Sequence, residues 1–241
     1  MAIKASEFDV RQWESGLPLA TALLGDEAFF ITRIGDFWRQ TGKVKGFTER
    51  IICYQTESDV ANRLLNELDA LSLFADRALV ELRLTKTTLD KSLREALDRW
   101  TQNPPDNKRL LISGPKLGKS EASTAWLKTL EAAAAVIEAT TVPAHQFVTW
   151  LDAELESHQI VMDQDARSAV QMHTKGNLLA AGQVIERLKH MQPDLIEGPI
   201  LSLDQVLDVL TQSARHTVYD LVDLAMKSDV PGLNRMTDLL K

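Results

Sequence analysis

Residues 108–120 read KRLLISGPKLGKS, an aliphatic run followed by glycines, lysines and a serine. The run is typical of a buried strand, and the residues after it resemble the loop that cradles a triphosphate. In that loop a first glycine stands five positions before the glycine of the Gly-Lys-Ser ending, which is Gly118 here. Ser113 occupies the place of the first glycine. The spacing therefore favours a strand-to-helix turn whose lysines face water over a nucleotide site.

The same kind of aliphatic run recurs through the first half of the chain. Amphipathic stretches separate the runs, and this alternation predicts a parallel sheet covered by helices. The predicted strands are residues 18–25, 48–56, 78–84, 108–114 and 134–141, and the predicted helices between them are 27–41, 58–71, 88–101 and 119–133. After Pro143 only helices are predicted, at 144–158, 164–174 with Asp163 as N-cap, 177–190, 202–212 and from 216 to the end.

Composition indicates an ordinary globular protein. The 241 residues are 44% hydrophobic and 25% charged, and the formal net charge is -7. That charge has the wrong sign for a surface built to wrap a phosphate backbone. The single Cys53 excludes an internal disulfide, and no apolar run reaches the length of about 18 residues that a membrane span needs. We expect a cytoplasmic protein that does not contact a membrane.

Two groups of side chains leave more than one interpretation open. In ALSLFADR (70–77), Leu71, Leu73 and Phe74 follow an amphipathic helix, and they are either core residues or an exposed docking cluster for a partner protein. The basic residues at 108, 109, 116 and 119 either contact phosphate or form a solvated edge. The histidines lack metal-ligand spacing, and Asp163 to Asp165 starts like a calcium loop without its later ligands, so we expect no metal.

Five stretches in a fixed order resemble the delta subunit family of the bacterial DNA polymerase III clamp loader. They are LLGDEAFF (23–30), ALSLFADRALVELRL (70–84), RLLISGPKLGKSEASTAWLKTLE (109–131), GNLLAAGQVIERL (176–188) and LSLDQVLDVL (201–210). The resemblance implies an AAA+-like α/β domain of the P-loop NTPase type, with a five-stranded parallel sheet, over residues 1–142. It also implies a three-helix lid domain over 143–213 and the truncated start of a collar domain over 214–241.

The resemblance implies that the chain has no catalytic residues, no cofactor and no nucleotide site. In doubly wound nucleotide-binding domains the phosphate loop follows the first strand. Here that place is Leu24 to Glu27, where two carboxylates would repel a triphosphate. The strand at 78–84 ends without the Asp-Glu pair that would hold magnesium, and Leu179 stands where nucleotide-binding relatives have a sensing arginine. Gly118, Lys119 and Ser120 then only resemble a phosphate loop, because they follow the fourth predicted strand rather than the first.

The resemblance also favours the docking interpretation of the apolar cluster. It implies that Leu71, Leu73 and Phe74, supported by Ser72 and Arg77, insert into a pocket of the beta sliding clamp and open that ring for loading onto primed DNA. The further implied partners are the gamma or tau and delta-prime loader subunits, with primed DNA bound only by the full complex. Because most of the collar is missing, we expect clamp binding but poor assembly with the other subunits.

Two alternatives remain. The first is an active ATPase or kinase that uses Lys119 and Ser120. The second is a direct DNA-binding module that uses the basic residues between Lys108 and Lys119, for which binding would depend steeply on salt.

Overall fold

The computed structural model describes residues 2–69, 77–116, 118, 125–191 and 200–214. The chain divides into two compact units, Met1–Thr141 and Val142–Lys241. The domain bounds expected from the sequence stay predictions. In the described part of the chain, no helix combines the length and the apolar character needed to cross a membrane.

The first unit is built on a parallel sheet. The five predicted strands are confirmed as β2 (Ala20–Gly25), β3 (Glu49–Tyr54), β4 (Ala78–Arg83), β5 (Lys108–Gly114) and β6 (Ala135–Ala139). The predicted count of five is wrong, because β1 (Ile3–Lys4) pairs with β6 and makes a sixth described strand. Two residues are too few to show the alternation that reveals a strand in sequence. The order across the sheet is β1-β6-β2-β5-β4-β3.

Four described helices flank the sheet. They are α1 (Ala28–Val44), α2 (Val60–Asp69), α3 (Lys91–Gln102) and α4 (Ala125–Ala133), and each described end lies within three residues of the prediction or borders residues outside the described ranges. Asp90 caps α3 by accepting a hydrogen bond from Leu93 N at 2.8 Å. Such a side chain satisfies a backbone donor that the first helical turn leaves without a partner.

Alternate strand residues divide the sheet into two faces. On one face, Val80 packs with Leu64 of α2 and Trp100 of α3 in a core cluster that also includes α4. We call this the α2 face. On the other, the α1 face, Leu79 lies against Gly42 of α1, where an added Cβ would approach Leu79 to 2.7 Å.

The strand order places a topological switch point at β2. This strand lies between β5 and β6. After β2 the chain continues through α1 to β3 at one edge of the sheet. After β5 it continues through α4 to β6, which lies on the opposite side of β2 in the strand order. Ligands of doubly wound sheets bind at such a point, outside the carboxyl ends of the strands.

The described part of the second unit contains the helices α5 (Phe147–Ser157), α6 (Gln164–Thr174), α7 (Leu178–Met191) and α8 (Leu203–Ala214). The expected three-helix bundle is therefore not confirmed, since four helices are present there. The N-cap prediction is confirmed: Asp163 accepts from Ala166 N at 2.7 Å, and its second oxygen accepts from Leu203 N at 3.2 Å. One carboxylate thus serves the starts of α6 and α8. The helix predicted from residue 216 lies outside the described residues.

Candidate functional site

The turn from β2 to α1 is the place where a phosphate loop would lie, and its backbone donors are already used. Asp26 N and Glu27 N both donate to the carbonyl oxygen of Ala139, at 3.1 and 3.0 Å. A phosphate loop works by pointing such N–H groups at its ligand. Because a carbonyl of β6 binds both groups, they are not available to an anion.

Gly25 explains how β6 comes so close to this turn. It pairs with Ala139 in the parallel register of β2 and β6. A Cβ added to Gly25 would lie 1.9 Å from the Ala139 carbonyl oxygen, a distance that no side chain can occupy. The glycine is therefore needed for the approach of two strands rather than for the approach of a ligand.

The amino end of α1 carries its own anion. The Glu27 carboxylate accepts from Phe29 N at 3.4 Å and from Thr141 Oγ1 at 3.1 Å. The partial positive charge of a helix start, which attracts phosphate in nucleotide-binding folds, is thus opposed by a carboxylate of the same chain. These contacts give a structural reason for the expectation that residues 24–27 do not hold a triphosphate.

The cavity that Leu24 lines beside this turn is small. A cavity of about 60 Å³ lies there, with Leu24, Lys116 and Glu138 among its lining residues. Pockets for small molecules usually measure about 300–1,000 Å³. Of the lookalike residues, Gly118 is exposed, and Lys119 and Ser120 lie outside the described residues.

The end of β4 lacks the features of a magnesium site. Arg83 is its last residue, and the guanidinium lies 5.6 Å from the centre of the Tyr54 ring. A cation at this position would repel a metal ion. Within the described ranges, no three His, Cys, Asp or Glu side chains converge as metal ligands would. Leu179, the residue expected in place of a sensing arginine, is 48% exposed in α7.

The sequence interpretation missed a buried carboxylate on the α1 face. Glu81 of β4 is 1% exposed, and it accepts from Arg39 Nε at 2.8 Å and from Arg50 Nε at 2.6 Å. A second nitrogen of each guanidinium completes a paired contact, at 3.2 and 3.1 Å. Burial alone would raise the pKa of Glu81, but these hydrogen bonds outweigh burial and hold the pKa at about 2. A lone acidic residue inside an aliphatic strand was the signal in the sequence.

Of the basic residues considered from the sequence, Lys108 and Lys116 do not lie together. Lys108 starts β5 and Lys116 follows its end, so that a strand of seven residues, about 23 Å long, separates them. Lys108 is 2% exposed, and its Nζ donates to the carbonyl oxygen of Glu67. The interpretation as a solvated edge is therefore wrong for Lys108. Lys119 lies outside the described residues.

The predicted docking cluster is described only at its borders. Leu71, Ser72, Leu73 and Phe74 lie outside the described residues. After them, Arg77 donates through Nη1 to the carbonyl oxygen of Lys45 at 2.9 Å, and its guanidinium lies 5.6 Å from the centre of the Phe47 ring.

A solved structure shares this architecture. The Bacillus subtilis DNA clamp loader delta protein matches with a TM-score of 0.66 over 97% of this chain and 71% of that chain, at 17% sequence identity. At this identity the match establishes the fold alone. The chain thus has the fold of a clamp loader delta protein.

Sequence comparison points to the same family of proteins. Residues 22–140 match the family model described as DNA polymerase III, delta subunit. The DNA polymerase III subunit delta of Escherichia coli (strain K12) is 28% identical over 212 residues, which are 88% of this chain and 61% of the relative. Over residues 22–140 the chain is similar to the DNA polymerase III delta subunit family. It spans about three fifths of the length of this curated relative.

Proposed function

We propose that the chain is a clamp loader delta subunit that binds the beta sliding clamp and carries out no nucleotide chemistry itself. The observation that carries the second half of this proposal is the double hydrogen bond from Asp26 N and Glu27 N to Ala139 O. The two donors that would begin a phosphate cradle are bound by the protein's own backbone. The energy source for clamp loading then has to lie in neighbouring subunits.

The clamp contact is assigned to Leu71, Leu73 and Phe74. Aliphatic and aromatic side chains buried together in a pocket commonly dominate an interface, and each costs about 2 kcal/mol or more when truncated. Ser72 and Arg77 support this contact. The bond from Arg77 to Lys45 O favours a supporting role, because that guanidinium is already held within the chain.

The proposed mechanism of ring opening is a population shift. A protein that binds an opened clamp interface more tightly than a closed one drives the ring open by the difference in affinity. Opening by this route needs no hydrolysis. ATP binding to gamma or tau subunits would control access to the clamp contact, and hydrolysis on primed DNA would release the clamp.

The remaining partners follow from the same proposal. The gamma or tau and delta-prime subunits assemble with the chain in a bacterial cytoplasm, and primed DNA is bound only within the full complex. The polymerase holoenzyme as a whole is the nucleotidyltransferase, whereas this subunit is not catalytic.

A clamp-binding assay tests the contact. The chain and its Leu73→Ala/Phe74→Ala variant are compared for binding to purified clamp, and we expect the variant to bind at least about 30-fold more weakly. Val44→Ala/Leu207→Ala is a matched control, because both of its side chains are exposed apolar residues, at 78% and 42%. Equal clamp affinity of the wild type and the Leu73/Phe74 variant would remove the proposed site.

Calorimetry with ATP and magnesium tests the absence of nucleotide chemistry. We expect no binding by the wild type. Micromolar binding that is lost in Lys119→Ala would establish the ATPase alternative instead.

A further inference from the structure

A cavity of about 310 Å³ lies on the α1 face of the sheet. Its lining residues come from α1, β2, β4 and β5, and residues 24–27, where a phosphate loop would lie, are not among them. Pockets that hold small molecules measure about 300–1,000 Å³, so this cavity is at the lower limit of that range. Its size suits a small free ligand.

The floor of the cavity is a row of side chains across three neighbouring strands. Leu23 of β2 pairs with Ser113 of β5, and Ser113 pairs with Arg83 of β4. All three residues line the cavity. Neighbouring strands are about 4.8 Å apart, so the row changes from an apolar side chain to a hydroxyl and a cation within about 10 Å. The polar end of the floor is therefore at β4.

The wall of the cavity is one side of α1. Ile31, Thr32, Gly35, Asp36 and Arg39 line it and recur three or four positions apart, as residues on one side of a helix do. Gly35 has no side chain to fill the space, and a Cβ there would lie 3.3 Å from Nη1 of Arg39. The glycine thus leaves room beside the helix for a guanidinium and for the cavity.

Three guanidinium groups share one buried carboxylate at the polar end. Arg39 and Arg50 bind Glu81 as described above, and Nη2 of Arg83 donates to Oε2 of Glu81 at 3.4 Å. A carboxylate offers about four acceptor positions, and these guanidiniums already make five contacts with it. Each guanidinium carries five N–H donors. Glu81 therefore cannot satisfy all of them, and the contact with Arg83 is the longest of the five.

The lining of the cavity has an excess of positive charge, although the formal net charge of the chain is -7. Its charged residues are Arg39, Arg83 and Asp36. Asp36 accepts from Nη1 of Arg39 at 2.7 Å, so Arg39 is bound by two carboxylates. Among the described residues, the Arg83 guanidinium has the long bond to Glu81 and the contact with the Tyr54 ring, and its side chain is 39% exposed. Arg83 is thus the cation with donors to spare.

We propose that this cavity is a binding site for a small tetrahedral oxyanion such as phosphate, held by the Arg83 guanidinium and the Ser113 hydroxyl. A guanidinium presents its N–H groups as a fork that matches two oxygens of a phosphate. A tetrahedral oxyanion has further oxygens for the Ser113 and Thr32 hydroxyls, whereas a planar carboxylate has only two in all. This site goes beyond the proposed clamp contact and does not depend on it.

The test is a titration of the isotope-labelled whole chain with inorganic phosphate, followed by NMR. We expect saturable shifts of the backbone amide signals of Arg83, Ser113 and Gly35, which chloride at the same ionic strength does not cause. Arg83→Met should bind phosphate at least about tenfold more weakly, because hydrogen bonds to a charged group are lost. Arg94→Met is the matched control, because it removes the same charge from an exposed position on α3, and it should keep the wild-type affinity.

A wild type without saturable shifts, or shifts that chloride reproduces, would overturn the proposal. Equal phosphate affinity of Arg83→Met and the wild type would overturn it as well. If Arg83→Met does not fold, Ser113→Val decides, because it removes the hydroxyl and narrows the cavity without changing the net charge. A loss of about tenfold in Ser113→Val supports the site, and an unchanged affinity refutes it. Since no clamp is present in this titration, the site and the clamp contact can fail separately.

Discussion

The two ends of the parallel sheet use their backbone groups and charges in opposite ways. At the carboxyl end of β2, the donors of Asp26 and Glu27 are bound to Ala139 O, and the nearby cavity measures about 60 Å³. At the amino end of β5, Lys108 donates to Glu67 O of α2, and the Arg109 guanidinium lies 5.1 Å from the centre of the Phe47 ring. At one end backbone groups bind each other, and at the other a buried and a half-buried cation bind backbone and aromatic groups.

This difference separates the topology of the sheet from the use of its ends. The switch point at β2 exists, because it follows from the strand order alone. Its use depends on a few atoms, namely whether the backbone donors after β2 face a ligand or a neighbouring strand. The strand order alone therefore does not establish a nucleotide site.

The largest effect is expected at the closed end. In Gly25→Val, the new Cβ would lie 1.9 Å from Ala139 O, and neither strand backbone can move without breaking the register of β2 and β6. We expect a loss of about 4 kcal/mol in the free energy of unfolding, measured by urea denaturation.

Gly35→Ala serves as the control for that substitution. Its added Cβ meets only the end of the Arg39 side chain, at 3.3 Å, in the middle of α1. We expect a change within about 1 kcal/mol. A Gly25 variant as stable as this control would show that β6 does not close the turn.

Glu81, between the two ends, provides the next test. Its pKa of about 2 lies below the ordinary value of 4.5, so it stabilises the folded state fully above pH 4.5. This stabilisation, about 3 kcal/mol, is lost as the pH falls from 4.5 towards 2. We expect Glu81→Gln to cost about 3 kcal/mol at pH 7, because Arg39 and Arg50 lose their paired acceptor.

The pH dependence separates this role from simple packing. Unfolding free energies measured between pH 2.5 and 7 should decrease less steeply on acidification in Glu81→Gln than in the wild type. Parallel curves for the two proteins would contradict the assignment of the low pKa to Glu81.

The sequence revealed those parts of the fold that are encoded locally. Short apolar runs bounded by turn residues predicted β2 to β6, and Asp163 was identified as a cap because it directly precedes a periodic stretch. The pair Ile3–Lys4 becomes a strand only through its partner β6, so no local pattern could indicate it.

The contacts around the candidate site could not be predicted for the same reason. Arg39 and Arg50 bind Glu81 across 42 and 31 positions of the sequence, so no local pattern indicates these contacts. The positions of lysines in the sequence likewise do not show at which end of a strand each ammonium group is buried. Lys108 and Lys116 are close in sequence and lie at opposite ends of β5. That the two carboxylates after β2 repel phosphate stays a prediction from the sequence, whereas the role of Ala139 O required coordinates.

A smaller effect is expected at the cationic end. Arg77→Met removes the hydrogen bond to Lys45 O and the cation above the Phe47 ring, while it keeps an unbranched stem. We expect a loss of about 1 kcal/mol in the free energy of unfolding. Arg94→Met, on the exposed side of α3, should stay within about 0.5 kcal/mol of the wild type. Equal losses in the two variants would show that the contacts of Arg77 are not specific.

The smallest expected effect distinguishes two explanations of the closed end. If the carboxylates of Asp26 and Glu27 were the main obstacle to phosphate, Asp26→Asn/Glu27→Gln would bind ATP. If the backbone bonds to Ala139 O are the obstacle, the variant still does not bind it, because those bonds do not involve the side chains. We expect the second result by calorimetry with ATP and magnesium, with a stability loss of only about 0.5 kcal/mol from the weakened cap. Glu156→Gln/Asp204→Asn is the control for general electrostatics, because it makes the same change in net charge at exposed positions. Micromolar ATP binding by Asp26→Asn/Glu27→Gln alone would mean that charge, rather than backbone geometry, prevents binding at this end of the sheet.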